Sequence, residues 1–191
     1  MKLFEIFKGA NKPCETITYG EFVLTQKFNA QSVIEQITNG AIKINSGLYN
    51  DGLFSVLDES ISGDISNSWN WQFQGTMMPI VATAFGDLFL FDTKNRQISF
   101  FQTQYNTVEP IADSVAELLD KALPFPSIRQ GVLKEPNLQK VKAVCGELQY
   151  GKTYILKPWE MLGGVDKIEN YTVGGLCVYH NLVSQTLRGN Q

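Results

Sequence analysis

Histidine occurs once in this sequence, at His180, and cysteine only at Cys14, Cys145 and Cys177. A single imidazole rules out a zinc site built on two histidines, and three isolated thiols lack the close spacing of a thiolate cage. No metal and no cofactor is expected. An odd, unpaired cysteine count suits a reducing compartment better than a secreted disulfide framework, so the chain reads as cytoplasmic. Charge is also sparse: charged residues make up 18%, the net charge is -3, and Lys and Arg are scattered. Phosphate attraction needs clustered basic side chains, which argues against direct nucleic-acid binding. No apolar run approaches the ~20 residues of a membrane span. Glu5 and Lys8 interrupt the apolar N-terminus before a signal-peptide core develops. Gly9-Ala-Asn-Lys12 lacks the second glycine and the Ser or Thr of a phosphate-cradling loop. Internal repeats and low-complexity tracts are missing too.

What is present is apolar mass. Of 191 residues, 43% are hydrophobic and 12% aromatic, enough for a sizeable core in one domain or two small intertwined ones. Asn29 is placed as an N-cap ahead of Ala30, Val33, Ile34 and Ile37 at helical spacing, and Gly40 is placed to end that helix. Asn50-Asp51-Gly52 between two apolar segments predicts a hairpin ending near Asp58. Residues 59–75 carry Gly63, Asp64, Asn67, Ser68 and Asn70, types that bond local backbone and favour loops. They read as a linker. If it is extended, Trp69 and Trp71 face one side.

The clearest sheet signal lies at 88–101, where two apolar runs flank a polar turn at 93–97. Leu88 and Leu90 share one face and Phe89 and Phe91 the other, which predicts a central strand covered on both sides. Ser114 and Glu117 stand at capping-box spacing before Val115, Leu118, Leu119, Ala122 and Leu123, and Pro124 stops that helix. A further helix fits 137–145, with Leu138, Val141 and either Val144 or Cys145 inward and Gly146 after it. Residues 154–156 suit a short strand ended by Pro158, and Gly163-Gly164 a turn. Leu176, Tyr179, His180, Val183 and Leu187 fit a helix, although 176–179 fit a strand equally well. The fold class is α+β, a mostly antiparallel central sheet with helices packed on it.

Catalytic sets are scarce. Cys145 or Cys177 with His180 is the one nucleophile pairing available, and it would make a small hydrolase. A buried thiol and a packing imidazole are the plainer reading. Asp87 and Asp92, five apart, point to opposite faces of a regular strand and suit turn or strand-end roles instead of acid/base work. Trp69 and Trp71, with Glu59 and Asp64 beside them, are the candidate partner-binding residues, as aromatic anchors in an acidic loop. Half-burial of both indoles against the sheet, and a solvated acidic patch of Asp58, Glu59 and Asp64, are the alternatives.

Residues 79–92, with Ala84-Phe85-Gly86-Asp87-Leu88-Phe89 at their centre, are followed by Asp113-Ser114, Cys145-Gly-Glu-Leu148, Tyr154, Pro158 and Leu162-Gly-Gly164. In order and spacing this series resembles the C-terminal domain of the type VI secretion DNase-immunity family. Upstream, Gly47-Leu-Tyr-Asn-Asp-Gly-Leu-Phe54 is similar to the GAD-like domain, although the helix before Gly40 lacks that pattern's Leu-Pro and Tyr-Trp residues. The resemblance implies a GAD-like region at 1–75 and an immunity-type domain at 76–191, packed separately or as one unit. It further implies a cytoplasmic antitoxin that is not an enzyme and that occludes a cognate secreted effector, a nuclease among the candidates. A scaffold that binds by strand addition is a third reading. Oligomeric state is not readable from the sequence.

Overall fold

Strand 88–92 places apolar side chains on both of its faces, and both faces are buried. Leu88 and Leu90 pack with Phe101, Trp69 and Val183 on one side, while Phe89 and Phe91 pack with Phe54, Ile98 and Leu118 on the other. The computed structural model describes residues 18–19 and 22–189. The N-terminal apolar stretch, Gly9-Ala-Asn-Lys12 and Cys14 lie outside them.

Eight strands form an antiparallel meander in chain order: β1 Thr18–Tyr19, β2 Phe22–Lys27, β3 Gly47–Tyr49, β4 Phe54–Val56, β5 Met77–Thr83, β6 Leu88–Asp92, β7 Ile98–Gln102 and β8 Thr107–Ala112. β9 Lys152–Leu156 pairs separately with β10 Tyr171–Gly175. The helices are α1 Val33–Ile37, α2 Glu59–Ser68, α3 Asn70–Phe73, α4 Val115–Glu117, α5 Glu135–Cys145 and α6 Leu176–Gly189. The chain is therefore α+β, with helices on both faces of an antiparallel sheet. The sheet runs unbroken across residue 75, since β4 pairs with β5 through Phe54 opposite Thr83 and Val56 opposite Val81.

Local rules account for several elements. The 48–57 hairpin forms as β3 and β4 around a tight turn in which Asn50, Asp51 and Gly52 all take positive φ. Ser114 Oγ accepts the Glu117 amide at 3.1 Å, and the Glu117 carboxylate accepts the Asp113 amide at 2.9 Å. That helix continues after α4 as a wider, π-type turn over Leu118–Ala122. α5 ends at Gly146, φ 84°, with Leu138 and Val141 inward and Val144 exposed. Residues 176–179 resolve as the first turn of α6.

Two expectations are corrected. α1 starts after Ser32, whose hydroxyl accepts the Glu35 amide at 3.1 Å, so Asn29 and Ala30 precede the helix. Ser32 also bridges Asp58, which holds the cap in place against β4. More consequentially, residues 59–75 are no linker: they form α2 and α3. Asp58 caps α2 by accepting the Ser60 and Ile61 amides, at 2.8 and 3.2 Å. Ile61, Ile65 and Trp69 then fall at i, i+4 and i+8 on the face toward the sheet, and the Ser62 hydroxyl donates to the Pro79 carbonyl at 2.7 Å. Burial of that stripe overrides the weak helix propensity of Gly63, Asn67 and their neighbours. Asp58 is buried as this cap and also accepts from the Tyr150 hydroxyl at 2.8 Å, so it does not belong to a solvated patch.

Candidate functional site

The turn between β5 and β6 gathers chain segments that lie far apart in sequence. Thr83 and Asp87 close it, with the Thr83 amide donating to the Asp87 carbonyl at 2.8 Å and the Asp87 amide donating to Thr83 Oγ1 at 3.1 Å. The Ala84 carbonyl accepts from the Tyr154 amide at 2.8 Å and from Thr153 Oγ1 at 2.9 Å, which ties β9 to the turn. Gly86 takes φ 87°, and a Cβ there would stand 2.6 Å from the Tyr179 ring, so only glycine lets α6 approach this closely. Its carbonyl accepts the Thr103 hydroxyl at 2.8 Å, and Asp87 Oδ1 accepts the Thr103 amide at 2.9 Å. Leu162-Gly-Gly164 lies in the loop after β9. Gly164 is packed so closely on the Pro158 carbonyl that no Cβ fits.

Beside this turn is a cavity of about 280 Å³ whose walls include Phe85, Phe100, Tyr154, Tyr171 and Tyr179. Its polar lining is Asp87, Gln102, Gln104, Tyr105, Lys134 and Glu160. Burial pushes the Asp87 carboxyl up to about 6 against the opposing pull of the Thr103 amide and the Lys134 charge. Glu160 beside the Tyr105 hydroxyl raises its pKa, and desolvation adds to the rise. Lys134, in the left-handed region at φ 51°, holds its ammonium 5.8 Å from the centre of the Phe85 ring. The sequence reading placed Asp87 at a turn, which is correct. The cavity escaped it because Tyr105, Lys134 and Glu160 join Asp87 only through tertiary packing.

The partner-binding candidates separate. Glu59 is exposed in the first turn of α2 and accepts from the Gln36 amide group at 3.4 Å. Asp64 is exposed further along α2, at a shallow groove of about 490 Å³ shared with α6, where Val178 and Leu182 also reach solvent. Trp69 is 0% exposed: it packs edge-on against Phe101 at 4.8 Å, and its Nε1 donates to His180 Nδ1 at 3.1 Å. Trp71 is half-buried and donates to Ser184 Oγ at 2.7 Å. The two indoles do lie close together, 5.8 Å between ring centres. Yet they fasten α2 and α3 to α6 and do not project from a loop.

His180 is fully buried, and burial pushes its pKa down to about 3. The imidazole is therefore neutral, with Nδ1 accepting from Trp69 and Nε2 turned toward the Gly86 carbonyl without closing a hydrogen bond of normal geometry. Neither thiol is bonded to it. Cys145 Sγ donates to the Tyr171 carbonyl at 3.1 Å, and burial raises its pKa. Burial and the charges of Asp64 and Asp58 raise that of Cys177. A nucleophilic pair needs a stabilised thiolate next to an accepting imidazole, and these groups are arranged otherwise. Among the described residues no cluster of three or more His, Cys, Asp or Glu could hold a metal ion, and no helix is long and apolar enough to cross a membrane.

No family model matches this chain, and no curated protein does. Among solved structures it is similar to Atu4351 from Agrobacterium tumefaciens, with a TM-score of 0.57 and 13% sequence identity over 85% of each chain. At that identity the likeness shows a shared fold.

Proposed function

We propose that this protein is a cytoplasmic immunity protein that binds a cognate secreted bacterial effector, a nuclease in the first instance, and occludes it without catalysing a reaction. The observation that carries the reading is the convergence on one turn of the residues on which the resemblance rests. Ala84 to Asp87 and Tyr154, about 70 residues apart in sequence, meet at the Ala84 carbonyl. That contact supports the reading by bringing two segments of the resemblance together in space.

The face offered to the effector is the α2–α6 groove. Glu59 and Asp64 are the charged residues of α2, which carries no Lys or Arg, and Val178 and Leu182 stand 62% and 46% exposed. An acidic helix beside exposed aliphatic side chains suits the basic, phosphate-binding surface of a nuclease. Opposite charge speeds encounter, and a small apolar centre slows release. A stable interface of this kind buries roughly 1,600 Å², more than the groove alone, so neighbouring surface takes part. The test is co-purification with the product of the adjacent toxic gene, followed by affinity measurement. Asp64→Lys combined with Leu182→Glu is expected to weaken binding on the order of 100-fold with an unchanged melting temperature. Failure of the intact protein to retain or neutralise any neighbouring gene product would overturn the proposal.

A further inference from the structure

The cavity beside Asp87 does not contribute to the α2–α6 face, and its chemistry points to a ligand of its own. Its lining includes six aromatic side chains, and a partly buried carboxylate, Asp87, and an exposed one, Glu160, stand against one ammonium, Lys134. The Asp87 carboxylate is half-satisfied: Thr103 is the only residue that hydrogen-bonds it among the described residues, and it does so through Oδ1 alone. Lys134 acts on Asp87 only by its charge, with no hydrogen bond, and its ammonium rests over the Phe85 ring at the cavity wall. That contact is a cation on an aromatic face, built from the chain's own residues. The partly buried Asp87 side chain lines the cavity, so a cationic donor placed there can reach its carboxylate. The volume, about 280 Å³, is at or below the small end of ligand pockets, so it takes the end of a chain and excludes a nucleotide.

We propose that this cavity is a receptor site for one alkyl-guanidinium or alkyl-ammonium group, whose charge pairs with Asp87 and Glu160 while its methylenes lie against Phe85 and Tyr171. Two sources share that chemistry: a free amine metabolite, and an arginine or lysine side chain of a protein. The proposal stands apart from the immunity reading, because the probe is a small molecule and no effector is required.

Isothermal titration of the full chain at pH 7.5 with n-butylguanidinium tests it. Saturable one-to-one binding is expected, with a Kd of roughly 0.1–1 mM for so few atoms. The neutral isostere n-butylurea is expected to bind at least tenfold more weakly. Asp87→Asn keeps the acceptor for the Thr103 amide, so it folds, as thermal unfolding would verify, and it is expected to lose at least tenfold in affinity. Absent heat at millimolar probe, equal binding of n-butylurea, or unchanged affinity in folded Asp87→Asn would each overturn the proposal. Nα-acetylarginine amide bound as tightly as n-butylguanidinium identifies a protein side chain as the source. Rejection of that capped amide with retention of agmatine identifies a free amine.

Discussion

On one side of the β5–β6 turn, Trp69 and His180 meet in a closed contact, with the indole N–H matched to an imidazole nitrogen and no exposed surface on either residue. On the other, Asp87 has one oxygen matched and a cavity in front of it. Both groups are ionisable, both are held by neighbours of the same five-residue turn, and burial moves each toward its neutral form, His180 down to about 3 and Asp87 up to about 6. The difference lies in what surrounds them. His180 is locked between packed helices and serves the core, whereas Asp87 faces space that another molecule can fill. Among the described residues each group is matched at one side-chain atom only, so the space in front of it, closed at His180 and open at Asp87, separates a structural element from a candidate site.

Gly86 joins the two regions, so replacing it should have the largest effect. Gly86→Ala places a methyl against the Tyr179 ring at a positive φ, and urea unfolding should show a loss of about 3 kcal/mol. A loss under about 1 kcal/mol would mean that α6 shifts away freely and that the two regions are not rigidly joined.

The pH dependence of stability separates them next. For His180, whose pKa in the fold is depressed, stability is fully present above about 6.5 and is lost as pH falls toward 3. For Asp87, whose pKa is raised from 3.8, the sign is opposite: the ionised form is disfavoured in the fold, so stability rises as pH falls from about 6 to 3.8. Between pH 6 and 4 these two contributions oppose each other in the native protein. Asp87→Asn removes one of them, and its acid decline should steepen by about 1 kcal/mol per pH unit, close to the ~1.4 kcal/mol limit for a single proton. An unchanged slope would show that Asp87 titrates normally.

The same substitution sharpens the contrast at neutral pH. Asp87→Asn should stabilise the protein at pH 7.5 by about 2 kcal/mol, with the gain gone by pH 4. Chemical denaturation at the two pH values measures it. Destabilisation at pH 7.5 would place Asp87 with His180, as a structural group.

Legibility followed the range of the forces involved. The β6–β7 hairpin and the two-sided burial of β6 were readable because alternating Leu and Phe leave no solvent face. The Ser114 cap, the end of α5 at Gly146 and the β3–β4 turn were readable because each is decided within four residues. β1, β2, β8 and β10 are not legible in the sequence, and β5 enters only through the resemblance of residues 79–92. β8 is an exposed edge strand carrying Pro110, which blunts it for strand addition and leaves no apolar alternation to read. Trp69 and Trp71 stand out as a pair in the sequence, but their neighbours favour loops, and nothing local says that Ser184 and His180, more than 100 residues later, receive their N–H groups.

Sequence alone determined the antiparallel α+β class, the strands that had to be central and the turns that glycine, asparagine and caps impose, because those choices rest on side-chain polarity and on φ preferences within a few bonds. Only the tertiary structure decided that residues 59–75 are helical, that an indole and an imidazole meet in the core, and that Asp87, Tyr105, Lys134 and Glu160 surround one cavity. Desolvation and packing set those outcomes. They depend on which distant residues share a volume, and local propensity is too weak to resist them.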